Sequence, residues 1–90
     1  MARIKIPGPI KNDVGGLSYV EVAGATVGEA VRDLVAKYPK LQGKILDAEG
    51  NIRRVINVFV RNEDIRHLEQ LQTAVDADTE IALIPAISGG

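Results

Sequence analysis

Apolar and polar residues alternate in two short stretches near the start of the chain, and this alternation predicts two β-strands. In ARIKI, Ile4 and Ile6 share one face, and in SYVEV the shared face carries Val20 and Val22. A period of two residues is typical of a strand with one buried face. The intervening GPIKNDVGG supplies turn residues, so we expect the two strands to pair as an antiparallel hairpin.

The apolar period then changes to that of an α-helix. Thr26 and Glu29 form a capping box, in which each side chain satisfies a free backbone N–H at the helix start. Pro39 disfavours the helical conformation in Tyr38, so we expect the helix to end there. The residues of the expected buried stripe are Val27, Ala30, Val31, Leu34 and Val35.

The second half of the chain predicts two more strands. In RRVINVFV the uniformly apolar face is expected to point inward. The inward residues are Ile56, Val58 and Val60, and the outward residues are Val55, Asn57 and Phe59. We interpret RNEDI as a polar turn and HLEQLQT as an irregular or short extended segment, and the last strand is expected from Glu80 to Ile84.

Two strands, one helix and two further strands predict an α+β fold of the β-grasp type. A mixed sheet of four to five strands packs on the main helix, with the first and last strands parallel at its centre. Leu41, Ile45 and Leu46 are expected to close the core. We assign residues 1–84 to this domain and residues 85–90 to a flexible carboxyl-terminal tail.

Composition narrows the range of functions. The chain has 90 residues, 46% of them hydrophobic, which is the size of one small domain. Its 11 basic and 12 acidic residues give a net charge of -1, which disfavours direct binding of nucleic acid. Cysteine is absent, and this excludes disulfides, thiolate nucleophiles and cysteine-based metal centres. No apolar stretch approaches the roughly 20 residues that span a bilayer, so we expect a cytoplasmic protein without a membrane partner.

The residues that could carry chemistry do not form an active-site pattern. His67 is the only histidine and has no second ligand at metal spacing, so we expect it to face solvent or to pack. We interpret Glu63 and Asp64 as turn residues that Arg61 and Arg66 balance. No nucleophile, base and oxyanion site can be assembled. We therefore expect no catalytic residue and no metal site, and a protein that serves other enzymes as a carrier or substrate.

The tail has the composition of a segment that can enter a narrow channel. If fully extended, Pro85 to Gly90 would reach roughly 20 Å. Pro85 has no N–H to donate and fixes its own φ, which directs the chain out of the sheet. Gly89 and Gly90, which follow Ser88, leave the terminal carboxylate without a flanking β-carbon. The alternative is that these residues are only a frayed end.

Motifs along nearly the whole chain resemble those of the ThiS/MoaD family of ubiquitin-like sulfur carriers. The resemblance covers GATVGEAVRDLVAKYPKL around the helix, INVFVRNEDIR across the third strand and DTEIALIPAISGG at the close. The tail motif is shared across sulfur carriers. The NEDIR turn is similar to that of the carriers of cysteine biosynthesis.

The resemblance implies a chemistry at Gly90 that partner enzymes perform. An E1-like adenylating and sulfurtransferase enzyme would use ATP and Mg to convert the Gly90 carboxylate to an acyl-adenylate, and sulfur would then displace AMP to leave a thiocarboxylate. Pro85, Ser88 and Gly89 would thread the partner's channel. The sulfur-accepting enzyme would be of the cysteine synthase type, with a zinc peptidase to release cysteine, or of the type of the molybdopterin synthase large subunit. No cofactor is expected on this chain.

An apolar surface beside the tail is expected to dock these partners. If Ile81 and Leu83 face the helix, the alternate residues of the last strand face the open side of the sheet. The predicted docking residues are Phe59, Ala82, Ile84 and Ile87.

Several interpretations stay open at this point. Gly90 could be joined to lysines of target proteins, which would make the chain a protein modifier. The domain could also be an interaction module whose tail has no chemistry. For a sulfur carrier, the destinations are cysteine, the molybdenum cofactor, thiamine and thiolated tRNA. Arg53 and Arg54 fit either a solvated strand end or an electrostatic docking edge.

Overall fold

The computed structural model describes residues 1–85, and within that range the chain forms five strands and two α-helices. The strands are β1 (Ala2–Lys5), β2 (Tyr19–Val22), β3 (Ile56–Val60), β4 (Glu63–Asp64) and β5 (Glu80–Pro85). The helices are α1 (Val27–Lys37) and α2 (Gln42–Ile45). Short 3-10 helices span Gly8–Val14, Pro39–Leu41, Ile65–His67 and Gln70–Gln72.

The strands form one mixed sheet in the order β2-β1-β5-β3-β4. β1 pairs with β2 in antiparallel fashion and with β5 in parallel, and β5 pairs with β3 in antiparallel fashion. The predicted hairpin and the predicted parallel pairing at the sheet centre are both confirmed. The β-grasp prediction therefore holds, with β5 flanked on both sides.

Helix α1 packs on one face of this sheet with its predicted apolar stripe fully inside. The Thr26 Oγ1 accepts a hydrogen bond from the Glu29 backbone N–H at 3.2 Å, as the capping box requires. The reciprocal bond differs from the prediction, because Glu29 Oε1 accepts from the N–H of Ala25 at 2.7 Å, one residue before the cap. Leu41, Ile45 and Leu46 are buried and close the core as expected.

The segment between β1 and β2 was expected to be a plain loop, and this was wrong. Gly8–Val14 form a 3-10 helix with a proline in its first turn. Ile10 and Val14 are both buried in the core. A spacing of four residues does not mark one face of a 3-10 helix, which has about three residues per turn, so the apolar pattern held no periodic signal for this segment.

The segment after β3 also differs from the prediction. Arg61 and Asn62 have positive φ angles of 52° and 67°, so the turn itself is only these two residues. Glu63–Asp64 then form β4, which pairs with Phe59 and Val60. The next residues were expected to be irregular or extended, whereas they form the 3-10 helices Ile65–His67 and Gln70–Gln72.

The end of the last strand lies one residue beyond the predicted boundary. Pro85, which the sequence assigned to the tail, is the final residue of β5 and lies opposite Ile56 of β3. Ile87, Ser88, Gly89 and Gly90 lie outside the described residues. No helix in residues 1–85 combines the length and the apolar character needed to cross a membrane.

Candidate functional site

The face of the sheet opposite α1, which we call the open face, carries an apolar surface on strands β3 and β5. Ile81 and Leu83 are buried against the helix side, as predicted. The alternate residues of β5 therefore lie on the open face, where Ala82 pairs with Phe59 in the register of β3. Ile84 is 46% exposed. We call Phe59, Ala82 and Ile84 the open-face patch; its placement is confirmed, and its role in docking stays a prediction.

A charged border lies beside the patch on the neighbouring strands. The Arg3 guanidinium lies 5.1 Å from the centroid of the Tyr19 ring and forms an ion pair with Glu80 at 3.3 Å. Lys5 is the β1 partner of Ala82 in the parallel register. An apolar centre with a polar rim is the usual arrangement of a protein interface. Sequence reasoning missed this border, because it depends on the register in which these neighbouring strands pair.

A hydrogen-bonded cluster at the end where β3 finishes and β5 begins links the turns that follow β3 and precede β5. The Thr79 hydroxyl, which is buried, donates to Asp76 Oδ1 at 2.9 Å and accepts from Arg61 Nη2 at 3.0 Å. Asp76 Oδ1 also accepts from the Asp78 N–H at 2.9 Å. These bonds, led by that of Thr79, hold the pKa of Asp76 below its ordinary value.

The ion pairs of Arg61 and Arg66 correct one sequence assignment and confirm another. Arg61 forms an ion pair with Asp76 at 3.3 Å, so it does not balance Glu63 and Asp64 as expected. Arg66 forms an ion pair with Asp64 at 3.6 Å, as expected. The cluster ties the β3–β4 turn to the turn before β5. It therefore stabilises the strand register that places the open-face patch.

The described residues supply little that resembles catalytic apparatus. Within residues 1–85 no group of three or more His, Cys, Asp and Glu side chains is close enough to hold a metal ion. His67 is exposed on its 3-10 helix, in agreement with the expectation that it faces solvent. Of the predicted tail residues, only Pro85 lies in the described range.

Comparison with known proteins gives consistent matches over the chain. The model of the ThiS family matches residues 4–90. The sulfur carrier protein CysO of Mycobacterium tuberculosis is 30% identical over 89 residues, which cover 97% of this chain and 96% of CysO. The small archaeal modifier protein 1 of Haloferax volcanii is 39% identical over 72 residues, covering 79% of this chain and 78% of that protein.

A solved structure gives the same picture for the fold. A chain in the crystal structure of the Amycolatopsis orientalis BexX/CysO complex superposes with a TM-score of 0.90 at 30% identity, and the match covers 100% of both chains. This similarity confirms the β-grasp architecture. The resemblance to the sulfur-carrier family that the motifs indicated is confirmed as well, and CysO is among the similar proteins.

Proposed function

The chain belongs to the ThiS family, and we propose that it is a sulfur carrier loaded at the carboxylate of Gly90. Its relatives include sulfur carriers and ubiquitin-like modifiers. The observation that carries the proposal is the family match, which extends through the final Gly-Gly pair rather than stopping at the folded domain.

In the proposed loading reaction, a partner enzyme activates the Gly90 carboxylate with ATP. A carboxylate oxygen attacks the α-phosphorus, pyrophosphate leaves, and the carboxylate becomes an acyl-adenylate. Hydrosulfide then attacks the acyl carbon, AMP leaves with the electrons of the broken C–O bond, and loss of the S–H proton yields the thiocarboxylate. Activation is needed because a carboxylate is a poor electrophile until one of its oxygens becomes part of a good leaving group.

The residues of this chain would present the reacting group rather than catalyse the reaction. β5 ends at Pro85, so Gly90 lies five residues beyond the sheet, a reach of roughly 17 Å if that segment is extended. Two residues of the open-face patch, Ala82 and Ile84, precede Pro85 on β5. We propose that the patch docks the activating enzyme while Ile87 to Gly90 enter its channel. Glycines at the end let a narrow channel close around the backbone.

We propose cysteine as the destination of the sulfur. The similarity to CysO over nearly the full length of both proteins supports this choice. A solved complex of BexX with CysO supports the view that carriers of this fold engage partner proteins. On this proposal a cysteine synthase type of enzyme accepts the sulfur and a zinc peptidase restores the Gly-Gly end, while molybdopterin and thiamine are the alternative destinations.

A protein modifier is the second candidate. The similarity to the small archaeal modifier protein 1 favours it, because that relative is named for modification rather than for sulfur transfer. The same activated Gly90 would then acylate a lysine amine instead of accepting sulfur. The two functions share the loading step and differ in the group that attacks the acyl carbon.

Intact mass spectrometry of the protein from its native cell distinguishes these candidates. We expect a carboxyl-terminal fragment in which sulfur replaces one oxygen at Gly90, and an added cysteinyl mass on the cysteine route. A chain with Gly90 deleted is the matched control and should carry neither. Finding Gly90 only as a free carboxylate or joined to lysine, even with activating enzyme, ATP and a sulfur donor supplied, would refute the carrier proposal.

A further inference from the structure

The edge of the sheet beyond β3 is only partly covered by β4. β4 pairs with Phe59 and Val60 alone, whereas all of β3 pairs with β5 on its other side. Among the described residues, the segment Ile56–Val58 therefore has no strand partner on its outer side. An uncovered strand segment of this kind is able to pair with an added strand.

A cleft opens beside this uncovered edge. It has a volume of about 190 Å³ and lies between the Asn51–Arg54 segment and the residues that follow β4. Ile52 and Leu71 line it and are only half-buried, so its wall is partly apolar. Ligand pockets for cofactors have volumes of about 300–1,000 Å³, so this cleft suits one or two side chains rather than a nucleotide.

The rim of the cleft is positively charged. Arg53, Arg54 and Arg66 line it together with one carboxylate, that of Asp64, which is paired with Arg66. Neither Arg53 nor Arg54 forms an ion pair with any residue in the described range. The surplus of two positive charges contrasts with the net charge of -1 on the whole chain. An acidic ligand is therefore complementary in charge to the rim of this cleft.

Both walls of the cleft are held by hydrogen bonds that backbone N–H groups donate. The Arg53 N–H donates to the Ile45 carbonyl at 2.9 Å, and the Ile56 N–H donates to the Arg53 carbonyl at 3.0 Å. On the facing wall the Arg66 N–H donates to Asp64 Oδ1 at 2.8 Å. A site whose walls are already ordered costs little conformational entropy when it is filled.

We infer that this edge is a second interaction surface, which binds an extended acidic peptide segment of a partner protein. The peptide would add as a short strand beside Ile56–Val58, pairing with backbone groups other than the Ile56 N–H, which already donates to the Arg53 carbonyl. It would insert one apolar side chain into the cleft and place carboxylates near Arg53 and Arg54. Ile56 and Val58 point to the helix side of the sheet, whereas the open-face patch lies on the opposite side. The inference is independent of the proposed sulfur chemistry, because both surfaces could be occupied at once.

The test is an NMR titration of the full ¹⁵N-labelled chain with the peptide acetyl-EEIVIEE-amide. We expect the amide shifts to change most in residues 51–58 and 64–71, and to change little at Ala82 and Tyr19. The peptide acetyl-KKIVIKK-amide should bind at least tenfold more weakly. Methylation of alternate backbone nitrogens of the acidic peptide should also abolish binding, because it removes the strand hydrogen bonds.

Matched charge reversals give the second arm of the test. Arg53→Glu with Arg54→Glu should weaken the acidic peptide at least tenfold, whereas Lys5→Glu with Lys40→Glu should change its affinity less than twofold. All four side chains are exposed, so both variants should keep the dispersed spectrum of the folded chain. Absence of shifts at millimolar peptide, shifts centred on the open-face patch, or equal losses in the two variants would each overturn the inference.

Discussion

Replacing Ile84 by glutamate is the most direct test of the open-face patch. Ile84 projects from the central strand on the side away from the core and is 46% exposed. The substitution should therefore leave the fold intact while it places a charge in the middle of the proposed interface. Phe59→Glu tests the same patch, although Phe59 is half-buried and its replacement also removes packing within the domain.

The size of the effect follows from the exposed fraction of the side chain. Burying a whole isoleucine side chain contributes about 1.5–3 kcal/mol, so burying the exposed half on docking contributes about 1 kcal/mol. Ile84→Ala should then weaken loading by about fivefold. Glutamate also leaves an unpaired carboxylate in a desolvated interface, so Ile84→Glu should lower loading between about tenfold and a hundredfold.

The assay is ATP–pyrophosphate exchange catalysed by the native activating enzyme, measured as kcat/KM for the carrier. Ala36→Glu is the matched control, because Ala36 is exposed on α1 and α1 lies on the other side of the sheet. It adds the same charge and should leave exchange within twofold of the unmodified chain. Urea unfolding of each variant checks that the fold is kept. Normal exchange by Ile84→Glu, or an equal loss in Ala36→Glu, would remove the open-face patch from the mechanism.

Three further predictions concern stability and are measured by urea unfolding. Gly24→Ala should destabilise the fold by roughly 1–3 kcal/mol, because φ of Gly24 is 143° and an added β-carbon would lie 2.8 Å from that of Glu29. The control is Gly43→Ala, whose added β-carbon would meet no atom within 4 Å. Thr79→Val should lower the free energy of unfolding by about 1–3 kcal/mol. The Asp76 N–H donates to Thr79 Oγ1 at 2.9 Å, and valine removes that acceptor. An unchanged urea midpoint would contradict this role of Thr79. The Ala23 N–H and then Lys37 lower the pKa of Asp33 from 3.8. The stabilising effect of the Asp33 carboxylate should therefore be complete well above pH 3.8 and be lost as the pH falls through the lowered pKa. Asp33→Asn should therefore be less stable than the unmodified chain at pH 7 and should approach it at pH 2, whereas a pH-independent difference would contradict the assignment.

The sequence was sufficient to predict an element where its local residue pattern agreed with the face that the element has to bury in the fold. The stripe from Val27 to Val35 and the cap at Thr26 specify the same helix, and both are found in the structure. The alternation of Ile81 and Leu83 with Ala82 determines which side of β5 is buried once the strand is central. The open-face patch could be predicted for this reason, because side-chain direction in a strand depends only on phase.

Features that depend on contacts between distant segments could not be predicted in this way. Ile10 and Val14 are four residues apart, which marks no face of a 3-10 helix, and the prolines and glycines around them favour a loop. Their burial against the core goes with the 3-10 helix that forms instead. Arg61 lies next to Glu63 and Asp64 in sequence, yet the tight turn directs it to Asp76 across the sheet end. The spacing of Asp76 and Thr79 in DADT was a usable signal, since it is that of a side-chain-capped turn.

The position of β5 explains how a small patch could suffice for a carrier. β5 lies between β1 and β3, and its last residue, Pro85, pairs with Ile56 of β3 directly after Ile84 of the open-face patch. A partner that holds Ile84 would have Gly90 within six residues, a reach of roughly 20 Å, so entry of the tail becomes an intramolecular step at high effective concentration. Interfaces below about 1,200 Å² are typical of transient complexes. On the proposed function, a patch of three side chains would be weak enough to release the carrier after each reaction, because the tail would add the remaining affinity only while it occupied the channel.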